Sequence, residues 1–505
     1  MVLSIAFRCD ASVRIGTGHV MRCLTLARAL RARGHACHFI MRDLSGHQGT
    51  RVRAEGFGVT LLSAPCGQAI PAGPAHAKWA EVPWVEDASE TAAALKAKTD
   101  WLVLDHYAFD VEWETAALPP GARLCVIDDL ADRAHACDVL VDQNLGRRAE
   151  DYDTLVPAEA ARLIGPRHAL LRPEFAAARK DALAARTARG GMLNYVLITM
   201  GGVDADNATG AVLASSALRG VQVTCVLGPG APSLSSVKAQ AAALPGVSVQ
   251  VDVPDLSPLM AAADLAIGAT GGTAWERCVL GLPTLMLVLA DNQAPAAWAL
   301  ARAGAGIGLG RMGEAGLDAR LAAALAACAD PATLMRLATA AAAVTDGEGT
   351  PRVVAALEAP PLRLIPASMA DAELIWHWRR SLSQEHLRYG PTPDLPQHLR
   401  WFDAALADPY RLLFVAQTDV PLGHLRLDLA GAEATVSILL APDARGQGLG
   451  LRLLALLAAE ARTRGVQRLH AQIHASNAAS RRLFTRTGYH EDPVAEGFLS
   501  FTLPL

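Results

Sequence analysis

A chain of 505 residues is too long for a single hydrophobic core, so two or three domains are expected. Hydrophobic residues make up 51% of it and charged residues 19%, which excludes a disordered chain. The formal net charge of -4, with no Lys/Arg run, excludes a groove for nucleic acid. The nine cysteines form no CxxC pair and no Cys/His cluster with ligand spacing, so a reduced, cytoplasmic protein without a bound metal is expected. No apolar run reaches the roughly 18 to 20 residues that a membrane span needs, and the amino terminus has no signal-peptide pattern, so no membrane partner is expected.

In chain order, SIAFRC reads as a strand, residues 18–33 as a helix capped by Gly34, and HACHFIM as a second strand, which makes one βαβ unit. WLVLDH and RLCVIDD repeat the strand signal. After a break near RPEFAAARKDALAARTARGG the same grammar restarts with NYVLITMGG, VQVTCVLG, VSVQVDV, DLAIGATGG and LPTLMLVLA. Near-continuous Val, Ile and Leu suits parallel strands covered on both faces. The expected fold class is therefore α/β: a Rossmann-like half over 1–190, a second, nucleotide-binding Rossmann-like half over 191–358, and a separate small domain over 362–505. Gly and Pro in DGEGTPRVVAALEAPP mark the last boundary, and LLFVAQ, GHLRLDLAG and ATVSILLAP supply strands beyond it.

The turn RCDASVRIGTGHVMR carries Gly16 and Gly18 before a helix, but Met21 stands where a dinucleotide fingerprint needs its third glycine. His19 follows in the first helical turn, where the positive end of the helix dipole disfavours imidazolium, so the ring can act as a general base toward water. Capping or packing is the plainer role for such a histidine. Asp10, at the preceding strand end, is placed to orient His19 or touch a substrate hydroxyl, or to cap the helix. Farther on, GATGGTAWE ends a strand at Ala269 and opens a helix near Thr273. Gly271 and Gly272 allow close backbone approach, and the helix start offers N–H groups to a diphosphate. Glu276 is placed to accept hydrogen bonds from ribose hydroxyls, or to face solvent. GGVDADN repeats the turn, with Gly202 on the other side of the nucleotide.

RCDASVRIGTGHVMRCLTLA, VLDHY, VIDDLADR, VDQN, ALLRPEF, TMGGVDADN, GATGGTAWERCVLGLPTL and ADNQ run in order over roughly the first 350 residues. Together they resemble the UDP-2,4-diacetamido-2,4,6-trideoxy-β-L-altropyranose hydrolases of pseudaminic acid biosynthesis. That family is similar in fold to GT-B glycosyltransferases. The resemblance implies metal-free hydrolysis of a UDP-sugar at its anomeric carbon, with His19 activating water and Tyr107, Asn292 and Gln293 lining the same cleft. Without it, Tyr107 reads as core and Asn292 as a helix cap.

In the last domain, ATVSILLAPDARGQGLGLRLLALLAAEA and HASNAASRRLFTRTGYH resemble the acetyl-CoA loop and later motif of the GNAT-superfamily N-acetyltransferases. The resemblance implies acetyl-CoA as co-substrate, bound by Ile438, Leu440, Arg445, Gly446, Gly448, Gly450, Asn477 and Ser480. Phe484 stands where many relatives carry an acidic tyrosine, so that role does not carry over. WHWRRSLSQEHLRYG, QHLRWF and GHLRLD resemble the acetyltransferase acting on UDP-4-amino-4,6-dideoxy-N-acetyl-β-L-altrosamine, which implies nucleotide-sugar contacts at Arg379, Trp401 and Arg426. These readings make the chain a bifunctional enzyme with UDP-sugar and acetyl-CoA as small-molecule partners. A GT-B glycosyltransferase fused to an acetyltransferase, an enzyme of a related nonulosonic acid pathway, and a sugar-nucleotide sensor are the alternatives.

Overall fold

The computed structural model describes residues 2–96, 98–383, 391–446, 448–492 and 498–505. Residues 384–390 of the WHWRRSLSQEHLRYG stretch and Gln447 of the glycine loop lie outside the described residues. The chain divides into two compact units, one of Met1–Val156 with Arg162–Leu357 and one of Pro157–Ala161 with Glu358–Leu505.

The first unit holds two sheets. One contains β1 (Ser4–Cys9), β2 (Ala36–Arg42), β3 (Gly58–Leu62), β4 (Trp101–Asp105), β5 (Arg123–Ile127), β6 (Val139–Asp142) and β7 (Ala161–Ile164), in the order β3-β2-β1-β4-β5-β6-β7. The pairings from β3 across to β6 are parallel. Buried side chains run the length of β4, as expected of a strand covered on both faces. The other sheet contains β8 (Tyr195–Thr199), β9 (Gln222–Leu227), β10 (Val247–Val251), β11 (Leu265–Ala269), β12 (Thr284–Val288) and β13 (Gly306–Arg311), all parallel, in the order β10-β9-β8-β11-β12-β13. In both sheets the strand order reverses once, between β1 and β4 and between β8 and β11. Crevices at the carboxyl ends of such strands are where open α/β sheets bind ligands.

The helix Pro173–Ala188 falls within the expected first half, yet it packs on the second sheet: Phe175 and Ala182 share a core with Leu197, Met260, Ala266 and Val279. The helix Gly349–Glu358 closes the first unit, and the carbonyl of Leu357 accepts the Trp101 indole N–H at 3.0 Å. Short strands β3, β6, β7 and β13 are additions to the sequence reading.

The second unit is one sheet of β14 (Arg363–Pro366), β15 (Arg411–Gln417), β16 (Pro421–Ala430), β17 (Glu433–Leu440), β18 (Arg468–His474), β19 (His490–Asp492) and β20 (Phe498–Pro504), ordered β14-β15-β16-β17-β18-β20-β19. β17 and β18 are its parallel pair, and they pair only through Glu433–Thr435 and Arg468–His470. Beyond that point they separate, leaving the rest of each edge open. One face carries the helices Ala372–Arg380 and Leu395–Ala407, and the other carries Leu449–Thr463 and Ala478–Arg486.

Candidate active sites

His19 reaches the β1/β4 crossover by a turn that the local sequence dictates. Ser12 Oγ accepts from the N–H groups of Arg14 and Ile15, Gly16 adopts φ +79°, and the helix Gly18–Ala32 begins with His19 as its second residue. A positive φ suits glycine because it has no Cβ. The ring is buried, and its Nδ1 lies 2.5 Å from Asp105 Oδ1. The same carboxylate accepts from Arg22 Nε at 2.6 Å and Arg22 Nη2 at 2.7 Å. Burial pushes the Asp105 carboxyl up, but Arg22 and then His19 more than offset it and hold it well below the usual carboxylate range. An ionised carboxylate only accepts, so His19 Nδ1 donates and Nε2 is the atom left to take a proton.

Tyr107 stands beside this pair, its ring 4.6 Å from that of His19 and edge-on to it. Its hydroxyl donates to Asp129, which also accepts from Arg22 Nη1 at 2.6 Å. Trp79 stacks on Tyr107 at 5.5 Å, with His76 4.6 Å from Trp79. His19 and Tyr107, picked out from the sequence, are thus brought together.

Asp10 is not part of this group. It is fully buried, paired with Arg8 at 2.7 Å, and accepts the Arg42 backbone N–H at 2.7 Å. Its expected role in orienting His19 belongs to Asp105. The reason is pleat parity: Cys9 pairs with Asp105 across β1 and β4, so Asp10, one residue on, faces the other side of the sheet together with Arg8. Sequence reasoning also missed Arg22, Asp129, Trp79 and His76. The signal for Asp105 was present, since it ends a strand immediately before the HY pair.

At the second crossover, Gly202 follows β8, and Gly271 and Gly272 follow β11. None of the three has a positive φ, and a Cβ built on any of them meets nothing within 4 Å. Gly18 is equally free. The chain's own packing therefore does not require glycine at these places, whereas a ligand lying against the backbone would. Thr270 Oγ1 donates to the Gln293 carbonyl at 3.0 Å, which joins the 270–273 turn to ADNQ, where Asn292 is exposed. Glu276 meets Arg172 at 3.4 Å through Oε1, while its buried Oε2 has no hydrogen-bond partner. Burial pushes its carboxyl up to about 7 against the pull of Arg172. Thr273 opens the helix Thr273–Val279.

In the second unit, Gly446 and Gly448 both adopt φ +76°, and the helix Leu449–Thr463 starts behind them. Ile438 and Leu440 lie on β17 where it has left β18. Arg445 turns back, donating to the Leu440 carbonyl at 3.1 Å and to Ser381 Oγ at 2.6 Å. Gly450 is buried, and a Cβ there would lie 2.8 Å from Leu483, so this glycine serves helix packing. Asn477 Oδ1 caps the helix Ala478–Arg486 by accepting the Ser480 N–H at 3.0 Å. Phe484 is core, its ring 4.9 Å from Tyr489. On the opposite face, Arg426 lies 5.9 Å from the Trp401 ring. The Nε atoms of Arg379 and Arg426 and the Nε2 of His424 are buried without hydrogen-bond partners. Burial, with Arg426 beside it, pushes the His424 imidazole down to about 3. His424 stands within GHLRLD but was not singled out from the sequence.

Residues 373–489 match the acetyltransferase (GNAT) family. The amino-terminal region is 28% identical over 175 residues to the UDP-2,4-diacetamido-2,4,6-trideoxy-β-L-altropyranose hydrolase of Campylobacter jejuni, covering 34% of this chain and 53% of that protein. It is also 28% identical over 199 residues to the spore coat polysaccharide biosynthesis protein SpsG of Bacillus subtilis, covering 38% of this chain and 57% of that protein. The chain thus spans little more than half the length of these curated relatives. Among solved structures, Acinetobacter baumannii MurG superposes with a TM-score of 0.51 at 15% identity, over 71% of this chain and 99% of its own, a likeness of fold alone. This polypeptide therefore joins a GT-B-type α/β region, similar to the altropyranose hydrolase and to SpsG, to a C-terminal domain of the GNAT acetyltransferase family.

Proposed function

We propose that the chain is a bifunctional enzyme of pseudaminic-acid-type sugar biosynthesis. Its carboxyl-terminal domain transfers acetyl from acetyl-CoA to the C4 amine of a UDP-amino-sugar. Its amino-terminal unit then hydrolyses the resulting UDP-2,4-diacetamido-2,4,6-trideoxy-β-L-altropyranose to free sugar and UDP. The observation that carries the hydrolytic half is the Asp105–His19 pair, with Nε2 of the ring left as proton acceptor at a strand crossover.

In this reading His19 Nε2 takes a proton from water as the water oxygen bonds to the anomeric carbon, and Asp105 stabilises the imidazolium as it forms. The bond from that carbon to the diphosphate oxygen breaks with its electron pair on oxygen, so UDP departs and the centre inverts. Backbone at Gly202, Gly271 and Gly272 meets the diphosphate, Glu276 Oε2 accepts from the ribose, and Tyr107, Asn292 and Gln293 bound the sugar. In the acetyltransferase domain the open edges of β17 and β18 receive the acetyl-pantetheine arm, and Gly446 and Gly448 receive the pyrophosphate. The unpartnered nitrogens of Arg379, Arg426 and His424 suit an anionic acceptor. The amine nitrogen attacks the thioester carbon, the carbon–sulfur bond breaks with its electron pair on sulfur so that CoA leaves as the thiolate, and the proton lost from nitrogen passes to solvent or to that thiolate.

The test is incubation of the purified protein with the UDP-4-amino-sugar, with and without acetyl-CoA, following UDP by phosphorus NMR and acetyl gain by mass spectrometry. UDP release that needs acetyl-CoA and stops in His19→Ala, with acetylated UDP-sugar then accumulating, is the expected result. Acetylation in the wild type with no UDP until a sugar acceptor is added would make the amino-terminal unit a glycosyltransferase.

A further inference from the structure

Arg277 is 1% exposed and carries no salt bridge among the described residues. It reaches back from the helix Thr273–Val279 to the seam where β8 and β11 part. There Nη2 donates to the Ala269 carbonyl at 2.6 Å, and Nη1 donates to Thr199 Oγ1 at 3.3 Å and Thr273 Oγ1 at 3.4 Å. Its Nε has no partner at all. A Cβ on Gly268 would lie 2.6 Å from the Thr199 carbonyl oxygen and 2.7 Å from this guanidinium, so only a bare backbone fits both.

A buried cation that contacts no carboxylate, with Glu276 acting on it only through space, is costly and needs a reason. Arg186 in the same unit gives the contrast. It too is buried without a carboxylate partner, but the carbonyls of Met260, Ala263 and Leu280 surround it at the opposite, amino-terminal end of β11. That arrangement ties helices together. Arg277 instead meets two hydroxyls at the carboxyl-terminal ends, under turns whose glycines leave open space in front of them. A guanidinium only donates, so both hydroxyl oxygens must accept from it, and the threonine hydrogens are free to point elsewhere. Burial also pulls the guanidinium down to about 10, which still leaves it charged at neutral pH.

We propose that Arg277 is a positioning residue for a nucleoside diphosphate: it supplies from below the positive charge that the diphosphate completes, and it turns the Thr199 and Thr273 hydroxyl hydrogens toward the phosphate oxygens. The inference rests on the reading of the second crossover as the UDP site. Its role in turnover follows, because charge grows on the leaving diphosphate as the anomeric bond breaks.

The experiment measures UDP by calorimetry and uridine by ligand-observed NMR on the full chain, as wild type, Arg277→Met and Arg277→Lys, with melting temperatures alongside. Arg277→Met is expected to weaken UDP about 10- to 100-fold and leave uridine unchanged. Its ligand-free melting temperature is expected to hold or rise, since a similar apolar volume replaces an uncompensated charge. Arg277→Lys, which keeps the charge, is expected to fall between the two, and it carries the test if the Met variant does not fold. UDP and uridine weakening alike, or UDP binding unchanged in a folded variant, overturns the inference and leaves the UDP reading standing. A wild type that binds no UDP overturns that reading and this inference with it.

Discussion

Replacing Asp105 with Asn tests whether the His19 pair does chemistry. The carboxylate accepts four hydrogen bonds, one from His19, two from Arg22 and a weak one from the Cys23 thiol, with no exposure to solvent. An Asn with its oxygen at the Oδ1 position keeps the bond to His19, so the tautomer survives, but the amide nitrogen then opposes Arg22 Nε, donor against donor. What is lost is the negative charge beside the imidazolium that forms as water is deprotonated. Two unit charges ~4 Å apart interact by about 4 kcal/mol at an effective dielectric near ~20. Arg22, bonded to the same carboxylate, offsets part of this, leaving about 2–3 kcal/mol, or ~30- to 150-fold in kcat. The stability cost is about 1–3 kcal/mol, because Arg22 keeps Asp129. UDP release under saturating substrate gives the first quantity and urea unfolding the second. An Asp105→Asn protein that is folded and turns over at the wild-type rate would refute the assignment. Asp10→Asn should behave in the opposite way, losing about 3–5 kcal/mol of stability through its broken buried pair with Arg8, with the surviving folded fraction turning over normally.

Glu276 predicts a pH dependence for UDP. Burial pushes its carboxyl up to about 7, and the ionised form is the stronger acceptor for ribose hydroxyls, so UDP affinity should rise with pH up to about 7 and level off above it, with protons released on binding at pH 6. Glu276→Gln should flatten that profile in calorimetric titrations; a slope that persists would assign the titration to another group. Gly448→Ala forces a Cβ into a left-handed φ of +76° and should raise the KM for acetyl-CoA about tenfold or more while UDP release from pre-acetylated substrate stays unchanged. Asn477→Ala removes the cap on the Ser480 N–H and should cost about 1 kcal/mol in urea unfolding of the acetyltransferase domain.

Much of this protein is determined locally. Runs such as WLVLDH and DLAIGATGG can only be covered strands, because hydrophobic continuity at that length leaves no face for water, and the positive-φ glycines after β1 and β8, Gly16 and Gly201, follow from backbone sterics. The glycine loop of the second unit is equally local: glycines at positive φ opening a helix need no distant partner. β13 was harder to see, because GIGLGR has too few apolar side chains to announce a strand and is held by pairing with β12. The helix Pro173–Ala188 reads as helical from sequence, but nothing in its own residues says which sheet it will cover.

Which carboxylate pairs with His19 was decided by tertiary structure. Asp10 and Asp105 both close apolar strands and look alike in sequence. Which one faces the helix Gly18–Ala32 depends on a one-residue difference in pleat parity and on β1 lying next to β4, and each reverses the answer if changed. Arg277 makes the same point for the second sheet: its charge is plain in the sequence, but its burial away from any contacting carboxylate exists only once β8, β11 and the helix behind them have closed around it.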